Sequence, residues 1–307
     1  MFLEGSITMV WPYLTSSIIF GSLFGLMSLG LTLTYITTKV PNFAYGSFVT
    51  IGLYTSYTMN RFEEFTPYVS TPIAFAIGGL SSIVMYLIIL RPLARRGSSL
   101  VSLMIATLAI DIGFIGIFGI YADYLRYGFN LTDSLGFYQI LADFSLFGQQ
   151  GLLYIAPISL GLITIGLFLL LTRTKFGVAM RASVENPSLA KVLGIDVEKI
   201  YVFAWFLAGG FAAMSGSYYT LYSGPTGVAT GSGLIVEIFA ASVLGGLGSI
   251  YGATIGGVII GAGENLLTGG GIVLLGPWVL DYQKGIPLLI MIVTLLVLPR
   301  GLASLVK

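Results

Sequence analysis

The sequence contains no cysteine and no histidine. Disulfides, thiolate nucleophiles and imidazole metal ligands are therefore excluded, and with them Ser-His-Asp relays and zinc sites in their usual forms. Charge is almost as scarce. Only 9% of the 307 residues are Asp, Glu, Lys or Arg, against about 25% in a soluble domain. The net charge is +1, and no extended basic patch marks a nucleic-acid surface. Phosphate-binding glycine motifs are missing too. No lysine follows a glycine in a Gly-Lys-Ser/Thr loop, and the cluster Gly245, Gly246, Gly248 has Tyr251 where a dinucleotide fingerprint needs its last glycine. Any ATP must be hydrolysed on another chain, and no cofactor or metal is expected on this one.

What the chain has is apolar length. Hydrophobic residues make up 56% of it, the mean hydropathy is +0.95, and several stretches reach the roughly 20 residues that a transmembrane helix needs. The short alternating segments of a β-barrel are not seen. Spans are expected at 14–36, 42–59, 70–90, 99–121, 152–171, 200–222, 250–267 and 284–299. Residues 232–246, crowded with Ala, Gly and Ser, are short for a crossing; they either cross or enter as a half-helix from one side. The fold expected is all-α: a polytopic integral membrane helical bundle of about eight to nine transmembrane helices, with a candidate re-entrant half-helix, in a single domain over 1–307. The first apolar segment is too long for a signal-peptide core and lacks a basic leading region, so it is expected to be retained.

Orientation follows from Lys and Arg in the short loops. Arg91, Arg95 and Arg96 share one loop; Arg173, Lys175, Arg181, Lys191 and Lys199 share another; Arg300 and Lys307 close the chain. These are expected on the cytoplasmic side. Residues 122–151 carry Asp123, Asp133 and Asp143 against Arg126 and are expected outside. Counting back from the Arg91 loop puts the N-terminus outside, and a cytoplasmic C-terminus requires 232–246 to cross. The Asn130-Leu131-Thr132 sequon on the outer side decides nothing.

The interval from Arg173 to Lys199 is the longest polar stretch between strongly apolar segments and holds five of the fourteen basic residues. Phe176, Met180 and Val184 recur every fourth position and give a first helix one apolar face. Asn186 before Pro187 reads as an N-cap with proline at the first helical position, and Gly194 as the glycine that ends the same short helix. The pattern predicts two short helices on the membrane surface, a rigid element of the kind a soluble partner can move.

Three carboxylates, Asp111, Glu237 and Glu264, lie near membrane depth, where an ionisable group tends to face a cavity or a partner; each is either a buried carboxylate hydrogen-bonded to a neighbouring Ser, Thr or Tyr or a residue of a pathway. Asn42, Phe43, Ala44, Tyr45 and Gly46 follow Pro41 and break the chain before the second span. The break suits either a discontinuous helix whose N-terminus points into a cavity, ready for a substrate carboxylate, or a plain capped helix at the interface. Gly21 and Gly25, Gly252 and Gly256, and Gly257 and Gly261 stand at the spacing that lets helices approach closely.

Four separated stretches resemble one family. NFAYGSFVTIGLY after the first span, RTKFGVAMRASVENPSLAKVLGIDVEK in the centre, EIFAASVLGGLGSIYGATIGGVIIG and the closing LPRGL together look like the permease subunit of a branched-chain amino acid ABC importer, of the H type. The resemblance runs from about Leu14 to Leu302. It implies a translocation path, for which Asn42 and Tyr45 from the helix break and Asp111, Glu237 and Glu264 from their depth are the candidate lining residues. It also implies a cytoplasmic ATPase-coupling loop over 173–199, in which Glu185 and Gly194 match the acidic residue and glycine of the family's loop and Arg181 and Asn186 stand beside them. The implied partners are a second homologous permease, two cytoplasmic ATPases carrying ATP and Mg, an extracytoplasmic substrate-binding protein and the lipid bilayer, in the plasma membrane of a prokaryote. Two positions depart from the pattern: Tyr45 stands where the family commonly has His, and Glu237 where many members have Lys. Related permeases carry urea or short amides, which is the alternative reading. An ion-coupled secondary carrier would need several intramembrane acids working together and inverted repeats, and it has no use for a docking loop.

Overall fold

The computed structural model describes residues 2–222, 224–298 and 301–303, with side chains from Trp11 onward. Arg300 and Lys307, counted above for orientation, lie outside the described residues. The chain is helical almost throughout. Helix α1 is Phe2–Thr38, α2 is Tyr45–Glu63, α3 is Pro67–Arg95 and α4 is Leu100–Phe129. A two-stranded hairpin follows, β1 (Ser145–Leu146) against β2 (Gln149–Gln150). Then come α5 (Leu152–Arg173), α6 (Lys175–Glu185), α7 (Pro187–Val192), α8 (Val197–Tyr219), α9 (Thr230–Gly233), α10 (Ile235–Gly245), α11 (Ile250–Leu275) and α12 (Gly285–Val297).

Among the described residues, six helices are long and apolar enough to cross a membrane: α1 from Trp11, α3, α4, α5, α8 and α11. The other expected spans are helices as well, but of another kind. Helices α10 and α12 have 11 and 13 residues, about 16 and 20 Å at 1.5 Å per residue, against a hydrocarbon core of about 30 Å. Helix α2 has 19 residues but carries Ser47, Thr50, Thr55 and Ser56, all buried. A helix enclosed by protein need not be apolar, because its hydroxyls meet protein acceptors instead of lipid. Most of the α1 window, 89%, is likewise inside the protein, whereas 11% of the α4 window is, so α4 leaves most of its apolar residues uncovered by this chain.

Backbone contacts divide the chain into two compact units. One comprises 1–32, 144–160 and 236–307. In it α1 and α11 cross at glycine: a Cβ on Gly257 would be built onto the backbone of Gly25, and one on Gly261 onto that of Phe20 and Gly21. Gly252 and Gly256 face Gly245 and Ala241 of α10, so all three glycine pairs read from the sequence sit in helix contacts. The Ser28 hydroxyl donates to the Ala253 carbonyl at 2.7 Å, and Ser242 donates to the Ser28 carbonyl at 3.1 Å. Ala240, Ala241, Leu244 and Ile260 form an apolar centre covered by Ile290 and Met291 of α12.

The other unit comprises 33–143 and 161–235. Here α2, α3 and α8 pack at backbone distance, through Gly52 against Ala213, Gly216 against Val49 and Gly78 against Gly209. None of these glycines advertised its partner by spacing. At the end of α4, Asn130 adopts φ +57 and caps the helix in the left-handed region, which gives the sequon asparagine a structural role. The acidic segment that follows folds back over α2 and α3. Tyr57 donates to Asp133 at 2.6 Å, Tyr68 donates to Asp143 at 2.7 Å, and Arg61 pairs with Asp133.

Candidate functional site

The polar interval 173–199 folds as two short helices meeting at Asn186. Thr174 caps α6 by accepting the Gly177 N–H at 3.2 Å. Along α6, Met180 is buried and the Phe176 ring packs edge-on against Phe203 of α8, which uses the apolar face expected from the four-residue repeat. Asn186 caps α7 through its Oδ1, which accepts the Leu189 N–H at 3.0 Å, with Pro187 at the first helical position. Past the helix end, the Gly194 N–H donates to Lys191 and the Ile195 N–H donates to Ala190, both at 3.0 Å. That pair of bonds is a Schellman ending, and it requires a left-handed residue at Gly194, whose φ is +82. Open space surrounds Gly194, with nothing within 4 Å of an added Cβ. The glycine is thus required by backbone conformation and not by crowding.

The exit from the interval is fixed as firmly. Asp196 caps α8, accepting the Lys199 N–H at 3.2 Å while its other oxygen lies 3.1 Å from the Lys199 ammonium. These contacts, the side-chain one first, hold its carboxyl below the usual carboxylate range. Two residues on, Glu198 forms ion pairs with Arg91 at 2.7 Å and Arg95 at 3.3 Å at the end of α3, and of the two only Arg95 donates a hydrogen bond to it. Arg181 donates to the Leu171 carbonyl, so α6 is tied back onto the end of α5. Glu185, Asn186 and Gly194 are all exposed, which leaves the Asn186 corner presented to whatever lies outside.

A second group gathers where α2 begins. The start is buried: Asn42, Ala44 and Tyr45 are 1%, 0% and 0% exposed. Asn42 Oδ1 accepts the Ala44 N–H at 3.1 Å, and its Nδ2 is buried without a partner. Tyr45 donates its hydroxyl to the Ala208 carbonyl of α8 at 3.2 Å. From α4, Thr107 accepts the Phe43 N–H at 3.2 Å, and Asp111, one turn on, accepts the Ser47 hydroxyl at 2.6 Å. Asp111 also accepts the Ser232 hydroxyl of α9 at 2.9 Å. Next to it, the Gly231 N–H donates to Thr50 at 3.1 Å, and Gly46 and Gly231 meet backbone to backbone. Asp111 therefore holds α2, α4 and α9 together.

Glu237 and Glu264 belong to the other unit. Both are buried, at 3% and 7% exposure, and each has one carboxylate oxygen without a partner. Glu264 accepts from Gln283 at 3.0 Å and interacts electrostatically with Glu237 and Lys284. Among the described residues no group of three or more His, Cys, Asp or Glu side chains comes together.

Sequence reasoning missed Thr107, Ser47, Ser232 and the Arg91–Glu198–Arg95 cluster. Thr107 and Asp111 share one face of α4, and that spacing was a usable signal; the serines carried none.

Residues 13–295 match the family described as branched-chain amino acid transport system / permease component. The chain is 45% identical, over 95% of its length and 91% of the relative's, to a probable branched-chain amino acid transport permease protein of Methanocaldococcus jannaschii. It is 25% identical to a high-affinity branched-chain amino acid transport system permease protein of Pseudomonas aeruginosa, over 82% of this chain and 84% of that one. It is also similar, at 37% identity over 48% of this chain and 42% of the relative, to an autoinducer 2 import system permease protein of Yersinia enterocolitica. No solved structure matches it.

Proposed function

Because this chain belongs to the family of branched-chain amino acid transport permeases, we propose that it is the permease subunit of an ATP-driven importer for branched-chain or related neutral amino acids. It forms the path and does no chemistry of its own. The observation that carries the coupling part of this reading is the 173–199 segment, a capped helix pair with an exposed corner at Asn186 and a left-handed stop at Gly194. A short helix stapled at both ends moves as one body, and a bistable permease converts such motion into opening on one side.

In this reading the segment lies in the cytoplasm and docks an ATPase that carries ATP and Mg. Glu185 and Asn186 form the contacting corner, Gly194 sets the exit direction, and Arg181 fixes α6 to α5. Helices α2, α10 and α12 complete the crossings begun by the six long helices, with α10 crossing and not re-entering. The crossings are then odd in number, with the N-terminus outside and the C-terminus inside, in the plasma membrane of a prokaryote. Residues 1–307 act as one permease domain beside a homologous permease, two ATPases and an extracytoplasmic binding protein. Asn42, Tyr45, Asp111, Glu237 and Glu264 serve the translocation path.

The test is uptake of labelled leucine into proteoliposomes holding the complete complex, with urea and acetamide as the competing solutes. ATP-dependent leucine uptake is the expected result. Uptake of the amides alone would transfer the reading to the alternative substrates, for which the carboxylate at Glu237 in place of the family's frequent lysine is the favouring observation. Uptake driven by an ion gradient without ATP would end the ABC reading.

A further inference from the structure

A cavity of about 510 Å³ opens between the end of α3, the end of α1, α7 and the start of α8. Its polar lining includes Arg91, Arg95 and Lys191, with Glu198 as the opposing carboxylate. Three cations against one anion leave the cavity cationic. Glu198 takes one contact from each arginine, Nε of Arg91 and an Nη of Arg95, so both guanidinium groups keep donors for a further anion. A guanidinium fork suits the oxygens of a phosphate better than any other side chain does.

The helices that line this cavity also line a second space of different character. Tyr86, Leu90 and Arg91 of α3 line the cavity, and the neighbouring Met85, Ile88 and Ile89 line a groove of about 520 Å³ between α3 and α4. The same succession occurs on α4, with Leu103 in the cavity and Ile110, Phe114 and Ile117 in the groove. Apart from Ser81 the groove is apolar, and its lining residues Val84, Ile88 and Ile117 are more than half exposed. The π-helical turn Tyr86–Leu90 supplies residues to both, Tyr86 and Leu90 to the cavity and Ile88 and Ile89 to the groove. A cationic cavity at the end of two helices, followed by an apolar groove running between them, matches one amphiphile: a phosphate headgroup with an acyl chain.

Building on the orientation given above, which puts the Arg91 end of α3 on the cytoplasmic side, we propose that an anionic glycerophospholipid of the cytoplasmic leaflet binds here. Its phosphate lies at Arg91, Arg95 and Lys191, and one chain lies along the α3–α4 groove. The anionic leaflet supplies the ligand at high local concentration. Pro187 and Lys191 belong to α7, so the bound headgroup joins the coupling segment to the end of α3.

Phosphatidylglycerol binding to the full-length permease in its complex, followed by native mass spectrometry and by thermal stabilisation with phosphatidylcholine as reference, tests this. Selective phosphatidylglycerol binding is expected, weakened about five-fold by Arg91→Gln and again by Lys191→Gln. Glu198→Gln discriminates: it breaks the ion pairs yet removes the one negative charge, so binding should hold or tighten. A parallel loss in Arg91→Gln and Glu198→Gln would show that the cluster is structural only and would overturn the proposal. Filling the groove with Ile110→Trp should release the lipid. Equal stabilisation by inorganic phosphate would overturn the acyl-chain part, and Arg91→Gln that releases the ATPase while leaving lipid binding intact would assign the cavity to a protein partner. Each readout is independent of uptake, so a failed transport assay leaves this result standing, and a failed lipid measurement leaves the importer reading standing.

Discussion

The Asp111 carboxylate accepts the Ser47 hydroxyl at 2.6 Å and thereby ties the middle of α4 to the third residue of α2. Because the same oxygen also takes Ser232 at 2.9 Å, one side chain secures two elements that have no covalent continuity near it. Hydrogen bonds to a charged acceptor contribute about 1.5–3 kcal/mol, and removing the acceptor leaves both hydroxyls unpaired. Asp111→Ala is expected to destabilise the purified protein by about 2 kcal/mol, and Asp111→Asn, which keeps an acceptor oxygen, by less. Thermal melting compared across the two variants checks this; equal melting of Asp111→Ala and the parent would remove the tie from the account.

Close approach of α2 and α8 makes a second prediction. A Cβ on Gly52 would be built into the carbonyl of Ala213, whereas a Cβ on Gly166 of α5 meets nothing within 4 Å. Gly52→Ala should therefore destabilise by about 1–3 kcal/mol through forced separation of the helices. Gly166→Ala should be neutral or stabilise by up to about 1 kcal/mol. The two melting temperatures should move in opposite directions or only the first should move; a larger drop for Gly166→Ala would contradict the packing described.

Asn186→Ala removes the cap of α7 and should cost about 1 kcal/mol locally, with Asn186→Asp retaining the cap. Since α7 has few buried side chains, of which Ala190 is one, the loss should be visible as faster amide exchange over 187–192 with unchanged global melting. Unchanged exchange would mean that tertiary packing, and not the cap, holds α7.

How much was legible follows from how local each signal is. Asn186, Pro187 and Gly194 were readable because caps and stops act within a few residues. The pairs Gly21–Gly25 and Gly257–Gly261 were readable because both partners carry the four-residue spacing that close crossing demands. Gly52 and Ala213 were not, since α2 has no such pair. Asp111 stood out as a carboxylate in an apolar helix, but Ser47 and Ser232 lie 64 and 121 positions away, and serines of this composition are everywhere. Helix α2 looked like an ordinary span; only its burial explains why its hydroxyls are there. The Arg91–Glu198 pair joins the end of α3 to the start of α8, in stretches that the sequence presented merely as positive.

Sidedness has its own check. A Ser188→Cys chain places a thiol on exposed α7, and a membrane-impermeant maleimide should leave it unmodified in intact cells and label it after permeabilisation. Labelling in intact cells would invert the orientation given for the coupling segment.

The most direct test of the central claim, that ATP-driven motion enters the membrane through the 173–199 segment, is uptake per ATP hydrolysed in the reconstituted complex carrying Gly194→Val. A β-branched residue at φ +82 is strained by about 1–3 kcal/mol, so the Schellman ending should open and α7 should lose its fixed relation to α8. Asparagine tolerates the left-handed region, which makes Gly194→Asn the rescue. The account predicts that Gly194→Val inserts in the membrane but loses uptake, either by releasing the ATPase or by hydrolysing ATP without transport, while Gly194→Asn retains most of both. Normal assembly, normal substrate-stimulated hydrolysis and normal uptake in Gly194→Val would contradict it.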